Sequence, residues 1–342
     1  MNIITGKNAQ GKTNLLEAIF FNLTGYSYRT SNYKDLINWN SSIASVSTII
    51  LKDDIEHKQC VAINKDGEKK IKINEVEKKN KDIHHRVVIF TPNDLNLIKG
   101  SSAARRDFFD KEAGVLFGGY RNYIRRYNRV LINRNRLLKN TYNKNSNELK
   151  IWTEYLVQTG TDVLINRLKV LNKITPFTIK WHSIVTGNAE KLEIRYLSCL
   201  KIKKPLNKSD LKSQFLYSIE SSYEEEIKKG YTVIGPHRDD IVFLVNGKNI
   251  KKFGSQGQHR TVILCLKLAL ISLYINEYRS TPILLMDDVF FELDKDRQKM
   301  LLYQIQKGVQ TFITTNYFED NLLDLDYNKY FIKDGNLSLV NN

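Results

Sequence analysis

Gly6-Lys7-Asn8-Ala9-Gln10-Gly11-Lys12-Thr13 fills every fixed position of the pattern G-x-x-x-x-G-K-[ST]. Glycines let the chain curl until successive backbone N–H groups point inward at phosphate oxygens. The helix expected from Lys12 adds its unsatisfied N–H groups and the positive end of its dipole to the same anion. Lys12 is placed to reach the β- and γ-phosphates and Thr13 to ligate Mg²⁺. Ile3-Ile4 supplies a strand ahead of the turn, and Asn14–Leu23 continues as a helix behind it. Gly6, Lys7, Asn8, Ala9, Gln10, Gly11, Lys12 and Thr13 are therefore the candidate nucleotide-binding residues.

Such a loop needs carboxylates nearby, and they stand far downstream. Pro282-Ile283-Leu284-Leu285-Met286 is apolar on both alternations, as a central parallel strand is, and it ends in Asp287-Asp288. Ligands bind beyond the C-terminal ends of such strands, which predicts both acids beside the phosphate site. Asp287 is expected to hold Mg²⁺ and Asp288 to polarise the attacking water, making Asp288 and Lys12 the candidate catalytic residues.

Between these halves the pattern changes. Ser45–Leu51, His57–Asn64 and Lys69–Ile73 read as short antiparallel strands, with Asp66-Gly67 a hairpin turn. Apolar residues recur at helical spacing through Leu116–Leu138, Ile151–Ile174 and Leu211–Ile227. Ile241–Val245, Ile283–Met286 and Thr311–Thr315 then return to strand, and Asp334-Gly335 marks a last hairpin. The simplest division is a split α/β head, 1–110 with 232–342, and a helical insertion at 111–231.

A third segment, Phe253-Gly254-Ser255-Gln256-Gly257-Gln258-His259-Arg260-Thr261, leads into the apolar helix Val262–Ile275. Ser and Gly at a helix start again make an anion-binding geometry. With these residues in view the chain resembles the RecF family of bacterial recombinational-repair ATPases, whose heads are of the ABC type shared with SMC proteins. The resemblance runs through residues 6–25, Tyr28-Arg29-Thr30, Phe90-Thr91-Pro92 with Asp94-Leu95, and Arg105-Arg106 with Phe108-Phe109-Asp110. It continues through Gly235-Pro236-His237-Arg238-Asp239-Asp240, the Ser-x-Gly-Gln-x-Arg pattern at 255–260, and Asp287-Asp288 followed by Glu292-Leu293-Asp294.

The resemblance implies an α/β P-loop NTPase of the ABC-ATPase (SMC/RecF-like) type with an inserted helical lobe. It implies ATP and Mg²⁺ as cofactors and an ATP-dependent homodimer. Ser255, Gln256, Gly257 and Gln258 would act in trans on the partner's γ-phosphate, and Glu292, Leu293 and Asp294 would form the D-loop. It further implies DNA binding at single-strand gaps, RecR as a partner, support of RecA loading, and a cytoplasmic setting. Asp288 stands where transporter ATPases carry Glu, one methylene longer, so slow hydrolysis suited to a switch is expected. Two departures stand out. Family members carry a strand-rich stretch ahead of the loop where Met1–Thr5 stands here, so edge strands and part of the base-side wall are expected to be missing. Thr314-Thr315-Asn316 occupies the place of a switch His, no clear Q-loop glutamine lies near Phe90-Thr91-Pro92, and neither sensor is assigned.

Composition points to a polyanionic partner, nucleic acid or an acidic membrane surface. In 342 residues, 53 Lys/Arg against 37 Asp/Glu leave a net charge of +16, while 42% hydrophobic content supports a packed core. No apolar run reaches the roughly 18 residues that span a bilayer, because Lys267 interrupts Val262–Ile275. Cys60, Cys199 and Cys265 are odd in number and far apart, which argues against a disulfide framework or a cysteine zinc site. Half of the net charge lies between Ala113 and Asn147, with eight Lys/Arg and no acid. At about 100° per residue, Arg121, Arg125, Arg129 and Arg136 share one arc of a helix, opposite Leu116, Tyr120, Tyr123, Tyr127, Val130, Leu131 and Leu138. These four arginines are the candidate DNA contacts, made to backbone phosphate rather than to bases.

Other residues take plainer roles. Trp39, Trp152 and Trp181 are expected in the core and His84-His85 at the surface. The acids at Glu220–Glu226 are expected to balance charge on a helix, and His237-Arg238 either lines a site or stabilises a turn. Against the leading reading stand an ABC transporter ATPase subunit, disfavoured by the helical insertion, the basic charge and the Ser-Gln-Gly-Gln loop, and a weakly active DNA-binding scaffold.

Overall fold

The computed structural model describes residues 1–52, 54–79, 83, 85–139, 147–200, 207–279, 281–288, 290, 293–305, 308–318 and 326–340. They gather into two compact units, one of 1–92 with 270–342 and one of 93–269. This division differs from boundaries at 110/111 and 231/232: residues 93–110 and 232–269 pack with the helical segment. The pairing of strands and charges inside the second unit, given below, is the reason.

The first unit is built on a six-stranded sheet in the order β13-β12-β1-β11-β10-β6. Its strands are β1 (Asn2–Thr5), β6 (Val87–Phe90), β10 (Ile283–Asp287), β11 (Thr311–Thr315), β12 (Asn328–Lys333) and β13 (Asn336–Val340). All but β13 run parallel, with Ile3 opposite Ile313 and Lys329, and Leu285 opposite Phe312 and Ile89. Leu284, Leu285 and Met286 are fully buried, which is why β10 reads as apolar on both faces.

Helix α1 (Lys12–Thr24) follows β1 and ends at Gly25, whose left-handed φ of 71° lets its N–H cap Phe21 O. A second, antiparallel sheet of β2 (Ile43–Lys52), β3 (Ile55–Asn64), β4 (Lys69–Ile73) and β5 (Val76–Lys78) packs on this helix through Phe21, Val61, Ile63 and Ile71. Asn22, fully buried on α1, donates to Val46 O at 2.8 Å and accepts from Thr48 Oγ1 at 2.7 Å, pinning the helix to β2. Helix α10 (Lys295–Ile305) completes the unit. Trp39, expected in the core, is instead 97% exposed.

The second unit is mostly helical: α2 (Asn96–Lys99), α3 (Ser102–Leu116), α4 (Tyr120–Lys139), α5 (Asn147–Val185), α6 (Lys208–Ser221), α7 (Tyr223–Lys229) and α8 (Ile250–Phe253). It also holds a strand the helical periodicity concealed, β7 (Leu192–Leu197), paired along its whole length with β8 (Asp240–Val245), which in turn pairs β9 (Lys248–Asn249). The insertion is therefore not purely helical. Helix α4 lies along α5, and Gly160 of α5 admits the contact: a Cβ there would stand 2.9 Å from the Tyr127 ring and 2.5 Å from Phe215.

Helix α9 (Gln256–Tyr278) begins in the second unit and ends in the first. By length and composition it could cross a membrane, with a mean hydropathy of 1.4, but 72% of that window is buried within the protein, as in a core helix. Lys267, the charge inside it, meets Asp94 at 2.8 Å.

Candidate nucleotide site

The loop at 6–13 is shaped by close approach. A Cβ on Gly6 would lie 2.5 Å from Ile332 O, so only glycine lets the loop start against β12. Ala9 (φ 63°) and Gly11 (φ 104°) take left-handed conformations that turn the backbone back on itself. Gln10 fixes the turn from outside: its Oε1 accepts from Asp334 N–H at 2.7 Å and its backbone O from Gly335 N–H at 3.2 Å. The β12–β13 hairpin thus braces the loop, while Lys7, Asn8 and Ala9 remain exposed.

Lys12 points into this curl and is 5% exposed. Its Nζ donates to Gly6 O at 2.7 Å, to Lys7 O at 3.0 Å and to Asn316 Oδ1 at 2.7 Å, using all three of its donors. Two of those acceptors belong to the loop itself, so the ammonium lies inside its curl.

Thr13 and the downstream acid meet as the sequence requires. Thr13 Oγ1 donates to Asp287 Oδ1 at 3.0 Å, and Thr314 Oγ1 donates to the same oxygen at 3.0 Å. A hydroxyl and a carboxylate oxygen at hydrogen-bonding distance beside a phosphate-shaped loop form a donor set that suits Mg²⁺. Asp288 follows with φ 53°, a left-handed conformation uncommon outside glycine, and its N–H donates to Thr314 Oγ1 at 3.2 Å.

Tyr28 borders this cluster, its hydroxyl 3.5 Å from Thr13 O. Burial, then the charges of Asp287 and Glu17, push its phenol well above the ordinary range, so it stays protonated. Arg29 spans Asn14 Oδ1 at 3.0 Å and Glu17 Oε2 at 2.9 Å, so the Tyr28-Arg29-Thr30 pattern clamps the flank of α1.

Sequence reasoning placed Thr314-Thr315-Asn316 at the switch-His position without assigning them a role, and gave no account of Gln10's brace. The signal was available for Thr314 and Asn316: Thr311–Thr315 reads as a strand, and residues at the C-terminal end of a strand beside β1 fall next to its loop.

In the second unit Ser255 and Gln258 form a capping box on α9: Ser255 Oγ accepts from Gln258 N–H at 3.1 Å, and Gln258 Oε1 accepts from Ser255 N–H at 3.0 Å. Ser255 and Gln256 are exposed, Gly257 and Gln258 half-buried. Of the D-loop candidates, Glu292 lies outside the described residues. Leu293 is buried, and Asp294 caps α10 by accepting from Arg297 N–H at 3.0 Å. His84 also lies outside the described residues.

Arg121, Arg125, Arg129 and Arg136 are all exposed on α4, and Arg125, Arg126, Arg129 and Asn122 line an open groove there. Arg134, in the same run, is different. It is fully buried, paired with Glu226 Oε2 at 2.6 Å and donating to Thr232 Oγ1 at 2.7 Å. Glu226 is therefore not a surface acid, and the run does have a counter-charge.

His237, Asp239 and Asp240 prove to be part of a largely buried hub, whereas Arg238 is exposed and donates to Thr232 O at 3.2 Å. Asp240 receives Arg105 at 2.7 and 2.9 Å, and Asp110 receives Arg167 at 2.9 and 2.8 Å, both two-pronged. Asp239 accepts from Tyr196 Oη at 2.6 Å and Cys199 N–H at 2.9 Å. His237 meets Tyr127 Oη at 2.5 Å, and burial lowers its imidazole to about 4, so it is neutral near pH 7. These residues hold β8, α3, α4 and α5 together.

The comparisons with known proteins fit this arrangement. The family model described as the RecF/RecN/SMC N terminal domain matches residues 1–323. The DNA replication and repair protein RecF of Desulforamulus reducens is 43% identical over 320 residues, covering 93% of this chain and 86% of that protein. The chain belongs to the RecF family. A RecF of Bacillus thuringiensis is 41% identical over 321 residues, covering 92% of this chain and 85% of its own. A solved structure of the recombination mediator protein RecF with ATP, in the RecFOR pathway, aligns at TM-score 0.87 and 33% identity over 99% of this chain and 91% of that one. An SMC head bound to the C-winged helix domain of ScpA aligns at TM-score 0.55 with 16% identity, a likeness of fold alone. The chain thus has the P-loop fold shared by RecF proteins and SMC heads, and the relatives it matches are DNA replication and repair proteins.

Proposed function

We propose that this RecF-family chain binds ATP with Mg²⁺ at residues 6–13, and that bound ATP closes two copies head to tail. What carries the reading is the position of Lys12 Nζ, held by Gly6 O, Lys7 O and Asn316 Oδ1 within a glycine-shaped loop, with Thr13 on Asp287 beside it. The residues fit the nucleotide: Lys12 meets phosphate oxygen, and Thr13 and Asp287 hold the cation. When bound, the metal neutralises phosphate charge and orients the triphosphate. Asp288 orients the attacking water. The loop at Ser255, Gln256, Gly257 and Gln258 meets the partner copy's γ-phosphate, and Leu293 and Asp294, with Glu292, form the D-loop.

Closure gathers the α4 faces of both copies, and Arg121, Arg125, Arg129 and Arg136 grip duplex phosphates without reading bases. Hydrolysis then releases the DNA. A solved relative named for the RecFOR pathway favours RecR as partner; a setting at gapped DNA and RecA loading as outcome are what the family resemblance implies.

Light scattering with and without ATP and Mg²⁺ tests the core of this reading. Wild type is expected to move from monomer to dimer only with ATP, and Lys12→Ala to remain monomeric. The dimer should decay as ATP is consumed at well under about 1 s⁻¹, the low end of ordinary turnover. Dimers formed equally by both proteins, or without nucleotide, would contradict it.

A further inference from the structure

The loop at 255–258 leans on a residue far from it in sequence. The capping box uses one end of the Gln258 side-chain amide, its Oε1. The other end, Nε2, donates to Glu190 Oε1 at 2.7 Å. Glu190 lies on the turn after α5, where Gly187 (φ 57°) and Asn188 (φ 62°) are left-handed and Asn188 N–H returns to Ser183 O at 2.8 Å. Its second oxygen stands 3.6 Å from Nε2 of the fully buried His182. All of these residues belong to one compact unit.

An ionised carboxylate only accepts hydrogen bonds, so it can face only the NH₂ end of an amide. Glu190 therefore dictates which way the Gln258 amide is turned, and that orientation places Oε1 on Ser255 N–H. A glutamine at this capping position without such a partner is free to flip, and flipped it presents a donor to a donor. We propose that Glu190 is the positioning residue of the 255–258 loop, holding the first turn of α9 in the form that meets a phosphate of a second copy's nucleotide.

The second half of this inference rests on the dimer reading above; the first half does not. Glu190 adds negative charge beside a loop read as meeting an anion, which opposes binding. Its contribution is therefore geometric, and the acceptor matters rather than the charge.

Two measurements on the full chain separate the parts. Hydrogen exchange of the free protein reads the positioning. Glu190→Ala should speed exchange of the amides at 255–259 by about tenfold, the weight of one hydrogen bond to a charged group. Glu190→Gln, which can still turn an acceptor to Gln258 Nε2 but no longer fixes it there, should fall between wild type and Glu190→Ala. Unchanged exchange in Glu190→Ala, or faster exchange spread over the whole unit, would overturn the positioning role.

Light scattering with ATP reads the consequence. Glu190→Ala should weaken self-association by about tenfold, again one such bond, with affinity for a fluorescent ATP analogue unchanged. Glu190→Gln should again fall between the two. A Glu190→Ala protein whose loop opens yet associates normally would uphold the positioning role and overturn the loop's contact with the partner's nucleotide. Equal loss in both variants would overturn the part assigned to the acceptor.

Discussion

The loop at residues 6–13 and the hub around Asp110, Asp239 and Asp240 are both rich in charge, and they are finished differently. In the loop, glycine and left-handed turns hold backbone groups in a curl whose rim, Lys7-Asn8-Ala9, is exposed. In the hub Arg105 and Arg167, and beside it Arg134 on Glu226, are each at most 4% exposed at the side chain, and each is matched to a carboxylate. Charge that is buried and fully matched builds architecture, because leaving either partner alone costs more than the pair contributes. A lysine held by two loop carbonyls and an amide oxygen inside a glycine-shaped curl marks a ligand site. Both regions carry residues of the family pattern, so the pattern by itself does not say which kind a residue is.

The sharpest way to break this contrast is at Glu226. Glu226→Ala leaves Arg134 buried without its carboxylate and should cost about 3–5 kcal/mol of stability in chemical denaturation. Lys12→Ala should cost about 1–2 kcal/mol, since it removes bonds to neutral acceptors, yet it should abolish nucleotide binding. Equal losses of stability would erase the distinction between the regions. A smaller effect sharpens the account of α4. Reversing Arg125, Arg129 and Arg136 to Glu should reduce the salt slope of DNA binding by roughly 2–3, at about 0.9 per phosphate released. These side chains are exposed, so the unfolding midpoint should hardly move. An unchanged slope would move the DNA surface elsewhere.

How far the sequence could be read follows from how local each signal is. The phosphate loop is eight consecutive residues, and β10 announces itself by being apolar on both faces, so both were legible. β7 was not: Leu192–Leu197 sits among helical runs, alternates with Glu193 and Arg195 outward, and finds its partner β8 only at Asp240–Val245. Glu226 reads as one of a solvated acidic group, but the turn of α7 carries it inward to Arg134. Trp39 failed in the opposite sense, since its apolar bulk says nothing of the exposed loop that carries it. Arg105 and Asp240 are 135 residues apart, a distance over which no spacing rule acts. Glu190 and Gln258 were hidden for the same reason.

The composite pocket is tested most directly by mixing two damaged proteins, Lys12→Ala and Ser255→Arg. Each alone should fail to associate with ATP, the first for want of bound nucleotide and the second for want of a competent loop. A mixed pair retains one pocket made from an intact lysine loop and an intact serine loop on different copies. Light scattering of the mixture with ATP should therefore recover dimers that neither protein forms alone. A mixture that stays monomeric would contradict a nucleotide shared between two copies.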